Sequence, residues 1–141
     1  MNHTGTEGLV YASSRKLSVS DQLLVARKLG PATPIMQGIV DKENADKDMT
    51  LILLMALATL PDDASDTVTA KCLSVVTAAD MDGKQVPIRA SNGAFMFKDV
   101  SMPDVLHLTA KVIEENLGDF FRTALGSLAA EAAKAKAAAS N

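Results

Sequence analysis

The sequence has no tryptophan, a single tyrosine and a single cysteine in 141 residues. One cysteine cannot form a disulfide within the chain, which is typical of proteins that work in a reducing cytoplasm. Aromatic residues make up only 4% of the chain, whereas hydrophobic residues make up 48% and include seven methionines. The core is therefore predicted to be aliphatic, and a chain of this length can bury one as a single domain.

A basic surface and a membrane-length apolar run are also lacking. The formal net charge is −3 and the isoelectric point is about 5.3, so binding to nucleic acid through clustered cations is not expected. The most apolar run, residues 49–60, is far shorter than the roughly 20 residues that a membrane-spanning helix needs. No signal-peptide pattern opens the sequence. The apolar run is instead predicted to be a helix enclosed by the core.

Motifs that carry enzymatic chemistry are missing as well. There is no glycine-rich phosphate loop, no CxxC and no HExxH. His3 falls in a segment expected to be loose, His107 is expected at a packed helix edge, and Cys72 is expected to be an inert buried thiol. Residues 41–48, six of which are charged, form a predicted exposed loop. It lacks the sixth-position glycine and the twelfth-position glutamate of a calcium loop, because Asp46 and Ile52 occupy those places. We therefore expect no enzymatic activity, no cofactor and no metal.

The segment 94–121 carries the most consistent local pattern. Ser101 is a good N-cap residue, Pro103 suits the first turn, and Asp104 places negative charge at the positive end of the helix dipole. A helix is therefore predicted from Ser101. Its apolar positions recur every three or four residues and predict one buried stripe, formed by Met102, Val105, Leu106, Ala110, Ile113 and Leu117.

Gly118 is predicted to end this helix in a left-handed conformation. Phe120 and Phe121 follow directly, and consecutive residues after such a turn point in different directions. One ring is therefore predicted to cap the core beside Leu117 while the other faces a partner. The alternative, in which both rings belong to the core, stays open.

Other helices are predicted from caps, proline positions and apolar periodicity, at residues 18–29, 48–60 and 61–77, with a weaker one at 35–40. Short strands are predicted at residues 8–12 and 16–19, after a loose segment 1–7. A hairpin is predicted between residues 84–89 and 94–97, with its turn at Asn92-Gly93 and Pro87 on an edge strand.

These elements predict an α+β fold in one small, mainly helical domain. The domain is expected to span residues 1–126, with four to five helices and one or two short β-hairpins. Residues 127–141 hold mostly alanine with a few charges, so they are predicted to form a helical or disordered tail.

Four short patterns follow one another in the second half of the chain. They are Cys72-Leu-Ser-Val-Val76, Gln85-Val-Pro87, Asn92-Gly-Ala-Phe-Met-Phe-Lys-Asp-Val100 and Glu115-Asn-Leu-Gly-Asp-Phe-Phe121. This order resembles the tail assembly chaperones of long-tailed, lambda-like bacteriophages and prophages, over residues 72–121 most clearly.

The resemblance implies a non-catalytic protein of the host cytoplasm. Its partners would be the tape measure protein, which it would keep soluble, and the tail tube subunits, whose assembly it would promote. Homo-oligomerisation is left open. The alternative is a minor structural protein of the tail or baseplate that stays in the virion. The candidate partner-binding residues are apolar residues of the 101–121 segment: Met102, Leu106, Leu117, Phe120 and Phe121.

Overall fold

The computed structural model of the chain describes residues 2–6, 8–35, 49–90 and 92–139, and of residues 122 and 124–139 the backbone alone. Those residues form a small α+β fold, which confirms the predicted class. The strands are β1 (Asn2–Thr4), β2 (Val10–Ser13), β3 (Val76–Ala79) and β4 (Gln85–Pro87). The helices are α1 (Val19–Leu29), α2 (Met49–Thr59), α3 (Asp62–Leu73) and α4 (Met102–Ala139), and a short 3₁₀ helix (Gly30–Ala32) follows α1.

Helix α1 begins and ends close to the predicted residues. The Ser18 side chain accepts a hydrogen bond from the Asp21 N–H at 3.2 Å, which satisfies one of the free donors of the first turn. Gly30 ends α1 as predicted, although the chain continues in helical turns to residue 35. The rest of the predicted weak helix 35–40 and the predicted loop 41–48 lie outside the described residues.

Helix α2 is apolar on nearly every side and is mostly buried, as predicted. Pro61 separates α2 from α3, which begins with Asp62 and Asp63 at its dipole-positive end. The prediction that this helix continues to residue 77 is wrong, because α3 ends at Leu73. Val76 and Thr77 belong to β3 and pair with β2 instead. Val76 is therefore buried as part of the sheet and not on a helix face.

The sheet is antiparallel with the order β1-β2-β3-β4. Residues 1–7 were predicted to be loose, but residues 2–4 form β1 and pair with β2 in the register His3↔Tyr11. The turn between them is possible because Gly8 adopts a positive φ of 88° and its N–H donates to the Gly5 carbonyl. The predicted strand 16–19 is absent, since Ser18 and Val19 open α1.

Strand β4 pairs with β3, and the predicted hairpin with residues 94–97 forms only in part, next to its turn. The turn at residues 80–83 joins β3 to β4, with Gly83 at φ 81°. Residues 88–90 and 94–96 are joined by the bridge between Arg89 and Phe95. The Met96 N–H also donates to the Ile88 carbonyl, and the Ala90 N–H donates to the Ala94 carbonyl. The predicted turn at Asn92-Gly93 does form, with Gly93 at φ 89°, and Pro87 does lie on an edge strand.

Helix α4 is the longest element and contacts α1, α2 and α3. Ser101 caps it as predicted, because its side chain accepts the Asp104 N–H at 3.3 Å. The prediction that Gly118 ends the helix is wrong, since the helix passes through it to Ala139. Mid-helix glycine costs only about 1 kcal/mol relative to alanine, and burial of Leu117 and Phe121 on either side opposes that cost.

The buried surface of α4 is broader than the predicted stripe. Ala110, Ile113 and Leu117 are buried as expected, but Met102 is 74% exposed and Leu106 is only half-buried. Six further residues are buried because α4 is covered both by the other helices and by the N-terminal hairpin, namely Asp104, Leu108, Thr109, Val112, Gly118 and Phe121.

Candidate partner-binding site

An apolar groove of about 280 Å³ lies between α1 and α4. Three of its residues expose large apolar side chains: Val19 at 72%, Leu23 at 56% and Phe120 at 56%. Exposed side chains of this size gathered in one concave surface are typical of sites that bind another protein. The lining residues are Val19, Gln22, Leu23, Ala26, Asn116, Leu117 and Phe120.

At one end of the groove, hydrogen bonds tie the segment just before α1 to α4 and to α1 itself. The Leu17 N–H donates to Asn116 Oδ1 at 2.9 Å, and Gln22 Nε2 donates to the Leu17 carbonyl at 2.9 Å. Val25 and Leu29 are fully buried and fix the opposite face of α1 in the core. The groove is therefore a surface between two anchored helices, and a partner would meet it already formed.

Phe120 and Phe121 are divided between surface and core. Phe121 is 5% exposed, whereas Phe120 is 56% exposed and lines the groove. Their rings contact each other edge to face, with centroids 5.3 Å apart. The division was predicted from a turn at Gly118, but it arises instead because neighbouring residues of a continuous helix point about 100° apart.

The five residues expected to bind a partner do not form one site. Leu117 and Phe120 line the groove, and Phe121 lies beneath the surface. Met102 lies about 27 Å from Phe120 along α4, given the helical rise per residue. It borders a different concavity of about 400 Å³, with Phe95 and Arg89, and Leu106 lines neither of the two.

The contribution of α1 was missed at the sequence level. Val19, Leu23 and Ala26 recur at intervals of four and three residues, which places them on one side of the helix. Val25 and Leu29 form a second apolar line, and the structure buries that one. Two apolar lines on one short helix are the signal that could have indicated a partner-binding face.

A polar cluster joins the N-terminal hairpin to the start of α4. The buried Asp104 carboxylate accepts hydrogen bonds from the Tyr11 hydroxyl and the Thr6 N–H, both at 3.0 Å. Burial raises the pKa of Asp104, but the hydrogen bonds from Thr6, Tyr11 and Ser101 outweigh it, so the pKa lies below its usual value. These hydrogen bonds tie the N-terminal hairpin to the first turn of α4.

The cysteine of the sequence, Cys72, is buried. Burial raises the pKa of the Cys72 thiol to about 12, which keeps it protonated and unreactive, as expected of a core cysteine. Within residues 2–6, 8–35, 49–90 and 92–139, no group of three metal-binding side chains is found. The helices in that part of the chain are also too short or too polar to cross a membrane.

A family model described as phage tail assembly chaperone protein, TAC, matches residues 13–129. The chain belongs to this family. The match covers more than half of the sequence and includes both walls of the groove, α1 and the part of α4 that carries Leu117 and Phe120. It confirms the resemblance inferred from the sequence and assigns the chain a general chaperone role in phage tail assembly, which suggests a non-enzymatic protein. No curated protein and no solved structure matches the chain.

Proposed function

We propose that the protein binds the phage tape measure protein in the host cytoplasm, keeps it soluble and promotes assembly of the tail tube subunits around it. The observation that carries this proposal is the apolar groove between α1 and α4 in a member of the tail assembly chaperone family. A chaperone of a long helical client needs an apolar surface that remains accessible in the folded monomer. Val19, Leu23 and Phe120 provide one.

The groove suits a helical client. Its walls are two helices, and an amphipathic helix of the client would lay its apolar side chains against Leu23 and Phe120 in the manner of helix-in-groove recognition. Exposed methionines elsewhere, Met96 and Met102 among them, offer flexible apolar side chains that adapt to varied client sequences. The formal charge of −3 keeps the loaded complex apart from other copies.

Coexpression with the tape measure protein tests the proposal. Leu23→Asp places a charge in the groove, and because Leu23 is 56% exposed, the variant is expected to fold with an unchanged melting temperature. It should lose co-purification with the client, and the client should become insoluble. Met81→Asp is the matched control, since Met81 is fully exposed on a turn away from the groove. Undiminished co-purification of Leu23→Asp would refute the groove as the binding site.

The competing function is that of a minor structural protein of the tail or baseplate. Such a protein would bury the same groove against permanent neighbours in the virion. Mass spectrometry of purified virions separates the two functions: we expect the protein to be absent. Its presence at a fixed stoichiometry would support the structural role instead.

Self-association is another use that the groove allows. Two copies placed groove to groove would bury Leu23 and Phe120, and the dimer would then compete with the client. Analytical ultracentrifugation of the wild type and of Leu23→Asp, each without the client, measures whether the protein self-associates through the groove. We expect client binding to be lost in Leu23→Asp whether or not the free protein self-associates.

A further inference from the structure

Both histidines of the sequence lie against each other, although one is near the N-terminus and the other is in α4. The imidazole rings of His3 and His107 stack with centroids 5.0 Å apart and an interplanar angle of 9°. On the other side, the His3 ring lies 6.3 Å from the Tyr11 ring, at an angle of 21°. His3 of β1 is thus held between Tyr11 of β2 and His107 of α4.

Several charged or titratable groups surround this stack. From β2, the Tyr11 hydroxyl donates to the Asp104 carboxylate. From α4, Asp104 and Lys111 lie about one helical turn before and after His107. Burial lowers the pKa of His3 most, and the charges of His107 and Lys111 act in the same direction, while Asp104 opposes them. The net result is a His3 pKa below its usual value.

Strand β1 has few other attachments. It has three residues, lies at the edge of the sheet and pairs with β2 alone. It is linked to α4 by the histidine stack and, just beyond the strand, by hydrogen bonds from the Thr6 N–H to Asp104 and between the hydroxyls of Thr6 and Ser101. Burial disfavours the charged imidazolium, so protonation of His3 would weaken the stack, which is one of the contacts that hold β1 on α4.

We propose that the His3–His107 stack makes the docking of β1 on α4 dependent on pH, with the strand docked at neutral pH and released in mild acid. The docked strand binds protons less readily than the free one, in which His3 has an ordinary pKa of about 6.5. Acidification from that pH downward therefore favours the free strand, until the pKa of the docked His3 is passed. This pH-dependent docking of β1 is independent of what the groove binds.

Hydrogen exchange measured by NMR on the full chain tests whether the docking of β1 depends on pH. The Gly5 N–H donates to the Leu9 carbonyl at 2.8 Å and reports the hairpin, whereas the Ile88 N–H donates to the Val76 carbonyl and reports the far side of the sheet. Between pH 7.5 and 5.5, protection of Gly5 should fall by up to about tenfold for each unit by which docking lowers the His3 pKa. Protection of Ile88, corrected for intrinsic exchange, should not change.

His3→Phe and His107→Phe keep a ring in the stack but remove its charge. His3→Phe should hold Gly5 protection constant between pH 7.5 and 5.5, whereas His107→Phe leaves the buried His3 in place and should only reduce the pH dependence. The proposal is overturned if Gly5 protection in the wild type stays constant while the His3 ring titrates, if Gly5 and Ile88 lose protection equally, or if a folded His3→Phe variant keeps the pH dependence. The two amides of the wild type decide the question even if neither variant folds.

Discussion

At the scale of single residues, the division between Phe120 and Phe121 leads to a direct comparison. Phe121→Ala removes a buried ring and should destabilise the fold by about 3–5 kcal/mol. Phe120→Ala removes a ring that is 56% exposed, so its melting temperature should stay close to that of the wild type while co-purification with the tape measure protein is lost. Thermal denaturation and pull-down of both variants measure the two effects.

The comparison has a clear contrary outcome. Equal destabilisation by the two substitutions would place both rings in the core and would remove Phe120 from the binding surface. Thr123→Ala serves as the control, since Thr123 is exposed on the next turn of α4 and carries no large apolar group. It should change neither stability nor binding.

The Asp104 cluster gives a second prediction at this scale. A carboxyl group whose pKa is lowered by folding stabilises the protein above its unfolded pKa, and that stability is lost as the pH falls through the folded pKa. Asp104→Asn should therefore be less stable than the wild type at pH 7, and the difference should shrink below about pH 4. Urea denaturation at pH 7 and pH 3 measures both values.

Tyr11→Phe is the companion variant for this cluster. It leaves the carboxylate buried with one hydrogen bond fewer and should cost about 1–3 kcal/mol at pH 7. A difference between wild type and Asp104→Asn that is constant from pH 7 to pH 3 would show that the carboxylate contributes no pH-dependent stability.

At the scale of elements, the cap of α4 can be tested by Ser101→Ala. The change removes the acceptor of the Asp104 N–H and a hydroxyl that contacts Thr6 Oγ1 at 2.9 Å, so we expect a loss of about 1 kcal/mol. Ser20→Ala is the control, because Ser20 is exposed inside α1 and caps no helix. If Ser101→Ala melts at the wild-type temperature, the cap does not contribute to stability.

The end of α4 gives a further prediction. Residues 127–141 are rich in alanine, which favours helix but buries little, so a chain that ends at residue 126 should keep the cooperative transition and melting temperature of the full protein. Circular dichroism should record less helix and an unchanged midpoint. Failure of the shortened chain to fold would show that the tail packs on the domain or on a second copy.

Helices could be predicted from the sequence more closely than strands. Ser18, Ser101 and Pro61 mark helix starts through local chemistry, and all three mark observed boundaries. Strands β1 and β4 have three residues each, too few for an alternating pattern, and β2 pairs with β3 from a distant part of the sequence. The prediction of a turn at Gly118 was wrong because the packing of α4 on the rest of the fold outweighs the low helix propensity of one glycine.

Only the part of the candidate site that comes from α4 could be predicted from the sequence. Leu117 and Phe120 stood out because their apolar pattern lies within one helix. Their neighbours Val19 and Leu23 come from α1, and only the packing of α1 on α4 brings the four together. A groove between two helices is a property of their contact, which neither sequence segment contains by itself.

At the scale of the whole molecule, the N-terminal hairpin is held by residues from the second half of the chain. Tyr11 bonds to Asp104, Ser14 bonds to Val75, and the Leu17 N–H bonds to Asn116. These contacts fasten the beginning of the chain to β3 and α4, so the sheet and the helices form one cooperative unit. The helical stability of α1 or α2 alone would not stabilise the hairpin.

The position of Tyr11 also sets the order of events on the ribosome. Its hydroxyl can bond only after Asp104 has been synthesised, 93 residues later. At the usual speed of bacterial translation this takes roughly 5–20 s. Until β3 is made, late in that interval, β2 lacks this neighbour, and α4 follows later still, so a nascent edge of β2 is open to other chains. Helices α1, α2 and α3 can form as they emerge, whereas the first strands of the protein must be among the last elements to reach their native contacts.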